Sequence, residues 1–423
     1  MDKLLLEKIM LDNQKEVEAQ QVIPRDISFD GFERYILVGI RRAGKSYLLY
    51  QQIQKLLKEG HGWDEMLYIN FEDERLEGFS TQDFNLILEA HFEMYSKRPM
   101  LFLDEIQNIP SWEKFARRLA DSKYKVFITG SNAKMLSSDI QTTLGGRYLP
   151  INVYPYSFEE FLNVWQVPHD KLSLISTEGR AMIINRMNDY LHHGGFPEGV
   201  LLKAKHDYLL GVYQKIYLND IMARNGITNI FGMKIMIKKI AESIKQPISF
   251  SRIANIVSST GTKLSTTSVV KYMEYMEASW LISRVTNIAA KLADKESNAK
   301  YYFTDNGILD LFLLDADTSL LENLVAYSLI RRYGREDAVF FYNKGIEVDF
   351  YIPEKELAIQ VSYSLKDEDT RKRAMKALLA IEKVLPCKQR LIITYDEEDA
   401  WQLSAEGIVV IPVWKWLLYE NYK

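Results

Sequence analysis

Eight residues constrain this chain more than any others. Residues 39–46, GIRRAGKS, fit the spacing G-x-x-x-x-G-K-[ST], and they stand between a short apolar run, ERYILVG, and a helical one, KSYLLYQQIQKLLKEG. A glycine at each end of such a loop lets the backbone close tightly around an anion, and the first N–H groups of the following helix point at it with a favourable dipole. The residues expected to line the anion are Gly39, Arg41, Arg42, Ala43, Gly44, Lys45, Ser46 and Tyr47. Lys45 would reach the β- and γ-phosphates of a bound nucleotide, and the Ser46 hydroxyl would ligate Mg²⁺. The helix should stop at Gly60, where glycine supplies a left-handed cap.

Three further apolar runs of strand length, MLYINF, PMLFLDE and KVFITG, follow and alternate with amphipathic pieces such as 84–95 and 112–120. Alternation of that kind predicts an α/β fold, a parallel sheet covered on both faces, with ligands bound at the carboxyl edge. The second run ends in Asp104-Glu105, so two carboxylates arrive beside the loop. Asp104 would hold Mg²⁺ and Glu105 would act as general base toward the attacking water. The third ends in Thr129, Gly130, Ser131 and Asn132, polar groups suited to the γ-phosphate or the lytic water, with Asn132 read as a sensor. Arg147, in LGGRYLP, would complete charge neutralisation as an arginine finger, in cis or in trans. The expected substrate is ATP and the expected cofactor Mg²⁺.

At 423 residues and 47% apolar composition the chain is long enough for two or three domains. Its single cysteine, Cys387, allows no internal disulfide, and the N-terminus has no apolar signal-peptide core. No uncharged run is long enough to span a bilayer. These features read as cytoplasmic. Net charge is −4, but it is unevenly spread: residues 201–300 hold 15 Lys and Arg against 7 Asp and Glu, a net +8, leaving −12 on the remainder. In that basic segment SFSRIANIVSS and STTSVVKYMEYMEASWLI form a helix pair joined at Gly261, followed by SRVTNIAA and AKYYFTD as two strands of a wing. Arg252, Lys263 and Lys271 are candidate DNA-backbone contacts. Val269, Met273 and Met276 have core spacing on the second helix, and Glu274 and Glu277 oppose phosphate binding, so a protein partner or interdomain packing stands beside DNA as the role of this segment.

Taken in order, VGIRRAGKS, YINFEDERL, LFLDEIQNIPSWEKFARRL, FITGSNAKML, GGRYLPINVYPYSFEEFL, HHGGFPEGV, YFTDNGILDLFL and GIEVDFYI resemble the P-loop ATPases of the AAA superfamily in bacteria and archaea that carry a nuclease-like C-terminal domain. The resemblance implies an additional-strand ATPase core, with Walker A at Gly39 to Ser46, Walker B at Leu101 to Glu105 and a sensor after KVFITG. It also implies a winged helix in the basic segment. The domains are expected at 1–157 (ATPase core with an N-terminal helix), 158–215 (helical lid), 216–308 (winged helix) and 309–423 (nuclease-like).

In restriction-nuclease folds a helix Glu, a strand Asp and an (E/Q)-x-K on the next strand gather a divalent metal. The tail resembles that order with Glu322, Asp349 and Gln360, yet Ser362 stands where the lysine belongs and Gln360 brings a neutral oxygen. The reading is therefore a degenerate nuclease-like fold, with Lys344 or Lys366 as spatial substitutes for the lysine. His192 and His193 read as a turn cap, and Trp414, Trp416 and Tyr419 as core. Mg²⁺-dependent ATP hydrolysis coupled to the C-terminal domains is the leading function. The other classes are a nucleotide-gated DNA-binding module with little turnover, a metal-dependent nuclease and a small-molecule kinase.

Overall fold

Each apolar run named above becomes a strand because both of its faces find cover. In a computed structural model, which describes residues 1–29, 31–334, 337–398 and 403–419, β1 (Arg34–Val38), β2 (Met66–Asn70), β3 (Met100–Asp104) and β4 (Val126–Gly130) are almost entirely buried. They pair only in parallel, with a fifth strand, β5 (Leu149–Asn152), in the order β2-β3-β4-β1-β5. The residues of β5 are largely exposed and include Pro150, which an edge strand tolerates because one side of its ladder is unpaired. That explains why periodicity gave no sign of it.

The chain divides into two compact units, Met1–Val153 with Ala278–Trp280, and Tyr154–Glu277 with Leu281–Lys423. In the first, Phe102 and Phe127 stack on neighbouring strands with centroids 4.8 Å apart, and Phe84 of the helix Phe84–Met94 stacks on Phe115 of the helix Trp112–Asp121 at 4.3 Å. The helix Lys45–Lys58 opens at Gly44 in the left-handed region and closes against Gly60, φ 97°. The register sets Val38 against Gly130 and Asn70 against Asp104, so the polar strand tips end level at one edge.

In the second unit the basic segment contributes the helices Ile230–Glu242, Phe250–Ser259 and Thr266–Ala278 and the strands β6 (Ile248–Ser249), β7 (Ile282–Asn287) and β8 (Asn298–Phe303). β9 (Phe340–Asn343), β10 (Glu347–Ile352), β11 (Leu357–Val361), β12 (Gln389–Thr394) and β13 (Val409–Pro412) extend it into one eight-stranded sheet, β13-β12-β11-β10-β9-β7-β8-β6, through the parallel pair β7 and β9. The sheet thus runs without a break across the 308/309 boundary drawn from sequence. Trp414 and Trp416 are buried and Tyr419 partly so.

Two motifs of this unit close on one another. Gly194, at φ 69°, and Gly195 leave room for the buried Asp305, whose carboxylate accepts the N–H groups of Gly195 and Gly307; a Cβ at Gly194 would lie 2.0 Å from it. Asn306 donates to the carbonyls of Leu191 and Leu320, and Asn323 donates to Phe303 O and Asn306 Oδ1. HHGGFP and YFTDNG are therefore two halves of a buried hydrogen-bonded joint. His193 pairs with Asp189, which also takes Lys205, and His192 lies between Asp310 and Asp317. Among the described residues no three His, Cys, Asp or Glu side chains are gathered to hold a metal, and no helix is long and apolar enough to cross a membrane.

Candidate nucleotide site

The loop after β1 bends where its sequence permits. Gly39 passes so close to Val153 that a Cβ would sit 1.9 Å from Val153 O, a backbone atom that cannot swing aside. Arg42 and Gly44 both take positive φ, 62° and 89°, which turns successive N–H groups inward ahead of the helix start. Arg25, outside any motif and buried, donates to Ala43 O at 2.9 Å, while its own backbone N–H is held by Gln51. Arg41 pairs with Glu72 at 2.8 Å, and Tyr47, partly exposed, donates to Gln20.

Lys45 is nearly inaccessible; its ammonium lies 3.2 Å from both Gly39 O and Ile40 O and 3.5 Å from Glu105 Oε1. Asp104 is wholly buried. Its carboxylate accepts the Tyr68 hydroxyl at 2.9 Å and the hydroxyls of Thr129 and Ser46. Burial, and then the neighbouring Glu105 charge, pushes Asp104 up to about 6 against the pull of those hydroxyls. Glu105 goes the other way: burial raises it, but the Lys45 ammonium, the Gln107 amide, Arg41 and Ser131 together bring it below the usual carboxylate range. Glu105 also sits in the left-handed region at φ 51°, a conformation that non-glycine residues hold at a cost of about 1–3 kcal/mol and that clusters at functional sites. Its N–H donates to Thr129 Oγ1, which ties β3 to β4 at the edge.

Residues 32–162 match the family model of an AAA domain, and residues 184–319 match a domain of unknown function, DUF8612. An uncharacterized protein of Methanocaldococcus jannaschii is 34% identical over 431 residues, covering 98% of this chain and 96% of that one. One from Haemophilus influenzae is 30% identical over 393 residues, covering 90% and 94%. The chain belongs to the same family as these two proteins, with an AAA domain of the P-loop type at 32–162. Among solved structures, a Walker-type ATPase of Pyrococcus abyssi is similar at 16% identity and a TM-score of 0.39, covering 70% of this chain and 99% of that one.

Around the AAA core, the remaining residues divide. Asn132 follows β4, beside Ser131, and its side-chain oxygen caps the turn Ala133–Leu136 by accepting Lys134 N–H. Arg147 is a correction. It precedes β5, at the amino edge of a parallel sheet, where its carbonyl accepts Arg34 Nε and its guanidinium bonds Asp121 and Leu144 O. One strand length, about 16 Å, separates that edge from the loop, so Arg147 does not join Lys45 within its own chain. Sequence reasoning missed Tyr68, Gln107 and Arg25. Gln107 is two residues past Glu105 and was legible in principle, whereas Tyr68 looks like any strand aromatic.

In the C-terminal region Glu322, on the helix Asp317–Tyr333, and Asp349, on β10, do come together. Gln360 does not join them as a ligand: its oxygen accepts Asp349 N–H at 2.7 Å and its amide donates to Glu347 O, bridging β11 to β10. Lys344 and Lys366 are exposed and supply no cation here. The cation is Lys300 of β8, wholly buried, which no spacing rule linked to this cluster. Burial would lower Lys300, but Glu322, Asp349 and Glu347 outweigh it and hold the ammonium charged.

Proposed function

We propose that the first unit binds ATP with Mg²⁺ and hydrolyses it. The observation that carries this is the meeting of four side chains at one sheet edge: Ser46 bonded to Asp104, and Lys45 beside Glu105 at 3.5 Å. The loop 39–46 would wrap the phosphates with its inward N–H groups, and Lys45 would exchange the Gly39 and Ile40 carbonyls for β- and γ-phosphate oxygens. Ser46 and Asp104 are hard oxygen donors of the kind Mg²⁺ takes, and a buried carboxylate held by three hydroxyls fits that role. When bound, the ion neutralises charge on the triphosphate. Glu105, ionised and oriented by Gln107 and Ser131, would accept the proton of the attacking water. Asn132 would sense the γ-phosphate, and Arg147 would act on a neighbouring subunit.

The second unit would supply the partner surface. The helix Ile230–Glu242, then β6, the helix pair, β7 and β8 follow the order of a winged helix, and Arg252, Lys263 and Lys271 are exposed, which favours DNA as the partner of the basic segment over a protein. The C-terminal strands are read as a nuclease-like fold kept without cleavage chemistry, since Ser362 stands in place of the lysine, Gln360 is bonded to the β10 backbone, and Lys300 is tied up between Glu322 and Asp349. Phosphate release with and without duplex DNA tests the whole reading. Lys45→Ala should abolish ATP binding, whereas Glu105→Gln should retain ATP and lower turnover by about 10²-fold or more. Normal hydrolysis by the Glu105 variant would refute the base assignment.

A further inference from the structure

A carboxylate cluster in the second unit already has its cation, and the chain itself provides it. Lys300 reaches from β8 with no exposed surface, and its Nζ lies 3.2 Å from Glu322 Oε1, 3.6 Å from Asp349 Oδ1 and 3.8 Å from Glu347 Oε1. Tyr302 donates to the same Glu322 oxygen at 2.8 Å, and the Phe341 ring lies 5.5 Å from Nζ on another side. The other Asp349 oxygen is taken by Val361 N–H at 2.9 Å. Three acids from a helix and a strand thus face one point, and an ammonium stands at it.

We infer that Lys300 is a built-in counter-cation occupying the place a divalent metal would take among Glu322, Asp349 and Glu347. A metal can enter the native site only by expelling this ammonium, which is itself wholly buried and already paired with all three acids. The oxygens now stand at ammonium distances, and drawing in by about 1–2 Å would bring them to the 2.0–2.6 Å that Mg²⁺, Mn²⁺ or Ca²⁺ require. Glu347, half-exposed, can make that movement most easily. Replacing Lys300 with a small neutral side chain therefore creates a divalent-cation site that the native chain lacks.

The test is a titration of the full chain with Mn²⁺ alone, without nucleotide, followed by the electron paramagnetic resonance signal of free Mn²⁺. Wild type and Asp349→Asn should bind Mn²⁺ with the same stoichiometry and affinity. Lys300→Ala should gain one site at least tenfold tighter than any in wild type, and the double variant Lys300→Ala, Asp349→Asn should lose it. An Asp349-dependent Mn²⁺ site in wild type would overturn the inference, as would a folded Lys300→Ala chain with no added site. If Lys300→Ala does not fold, it is refolded with and without Mn²⁺: recovery of native circular dichroism only with Mn²⁺ supports the inference, and failure to recover overturns it.

Discussion

Asp104→Asn should make this protein more stable and less able to respond to nucleotide. Asp104 is wholly inaccessible, and its carboxyl, near 3.9 in an unfolded chain, is pushed up to about 6 by burial and by Glu105. Between those values the native state holds a proton that the unfolded state has lost, so stability falls as pH rises through the window. Above it, the ionised carboxylate costs about 3 kcal/mol at 1.36 kcal/mol per unit. An amide removes the charge and has groups for all three partners: its oxygen has lone pairs for Thr129 and Ser46, and its NH₂ can donate to Tyr68, whose hydroxyl also meets Tyr50. At pH 7.5, in chelator and without nucleotide, the transition of the ATPase unit should rise by roughly 6–12 °C. At pH 4 the gain should shrink toward zero. Mg-ATP at about 1,000 times its Kd should reverse the order, because it stabilises wild type by about 4.1 kcal/mol, more than the variant's gain of about 3, and the variant hardly at all. A variant no more stable than wild type at pH 7.5, or equally stabilised at both pH values, would refute the reasoning.

Other perturbations follow the same geometry. Gly39→Ala places a methyl 1.9 Å from Val153 O, and since that atom is backbone the loop must move; calorimetry should show a loss of about 1–3 kcal/mol in stability and at least tenfold weaker ATP binding. Unchanged ATP affinity would mean that the close approach is not needed. Combined Arg252→Ala, Lys263→Ala and Lys271→Ala should weaken duplex DNA binding and lower the slope of log K against log salt by up to about 3, read by fluorescence anisotropy. An unaltered slope would remove the helix pair from any DNA contact.

Much of the ATPase core could be read from the chain. Where a strand is buried on both faces its residues form an unbroken apolar run, and where a loop wraps an anion its glycines are sterically required, so β1 to β4 and 39–46 announce themselves locally. The edge strand β5 carries no such pattern, because an exposed strand with a proline is held by pairing rather than by burial.

Sequence by itself determined which side chains would meet near the loop, Lys45, Ser46, Asp104 and Glu105, because each stands beside a local signal. Tertiary structure alone decided their state and their company. Asp104 and Glu105 are neighbours in the chain, yet burial lifts one and Lys45 lowers the other. Arg147 went to the far edge because a parallel sheet puts every strand's start there. Lys300 met Glu322 and Asp349 because β8 packs beside the helix Asp317–Tyr333, a contact between segments with no spacing in common. Electrostatics depends on distance through space, and the order of residues along the chain does not fix that distance.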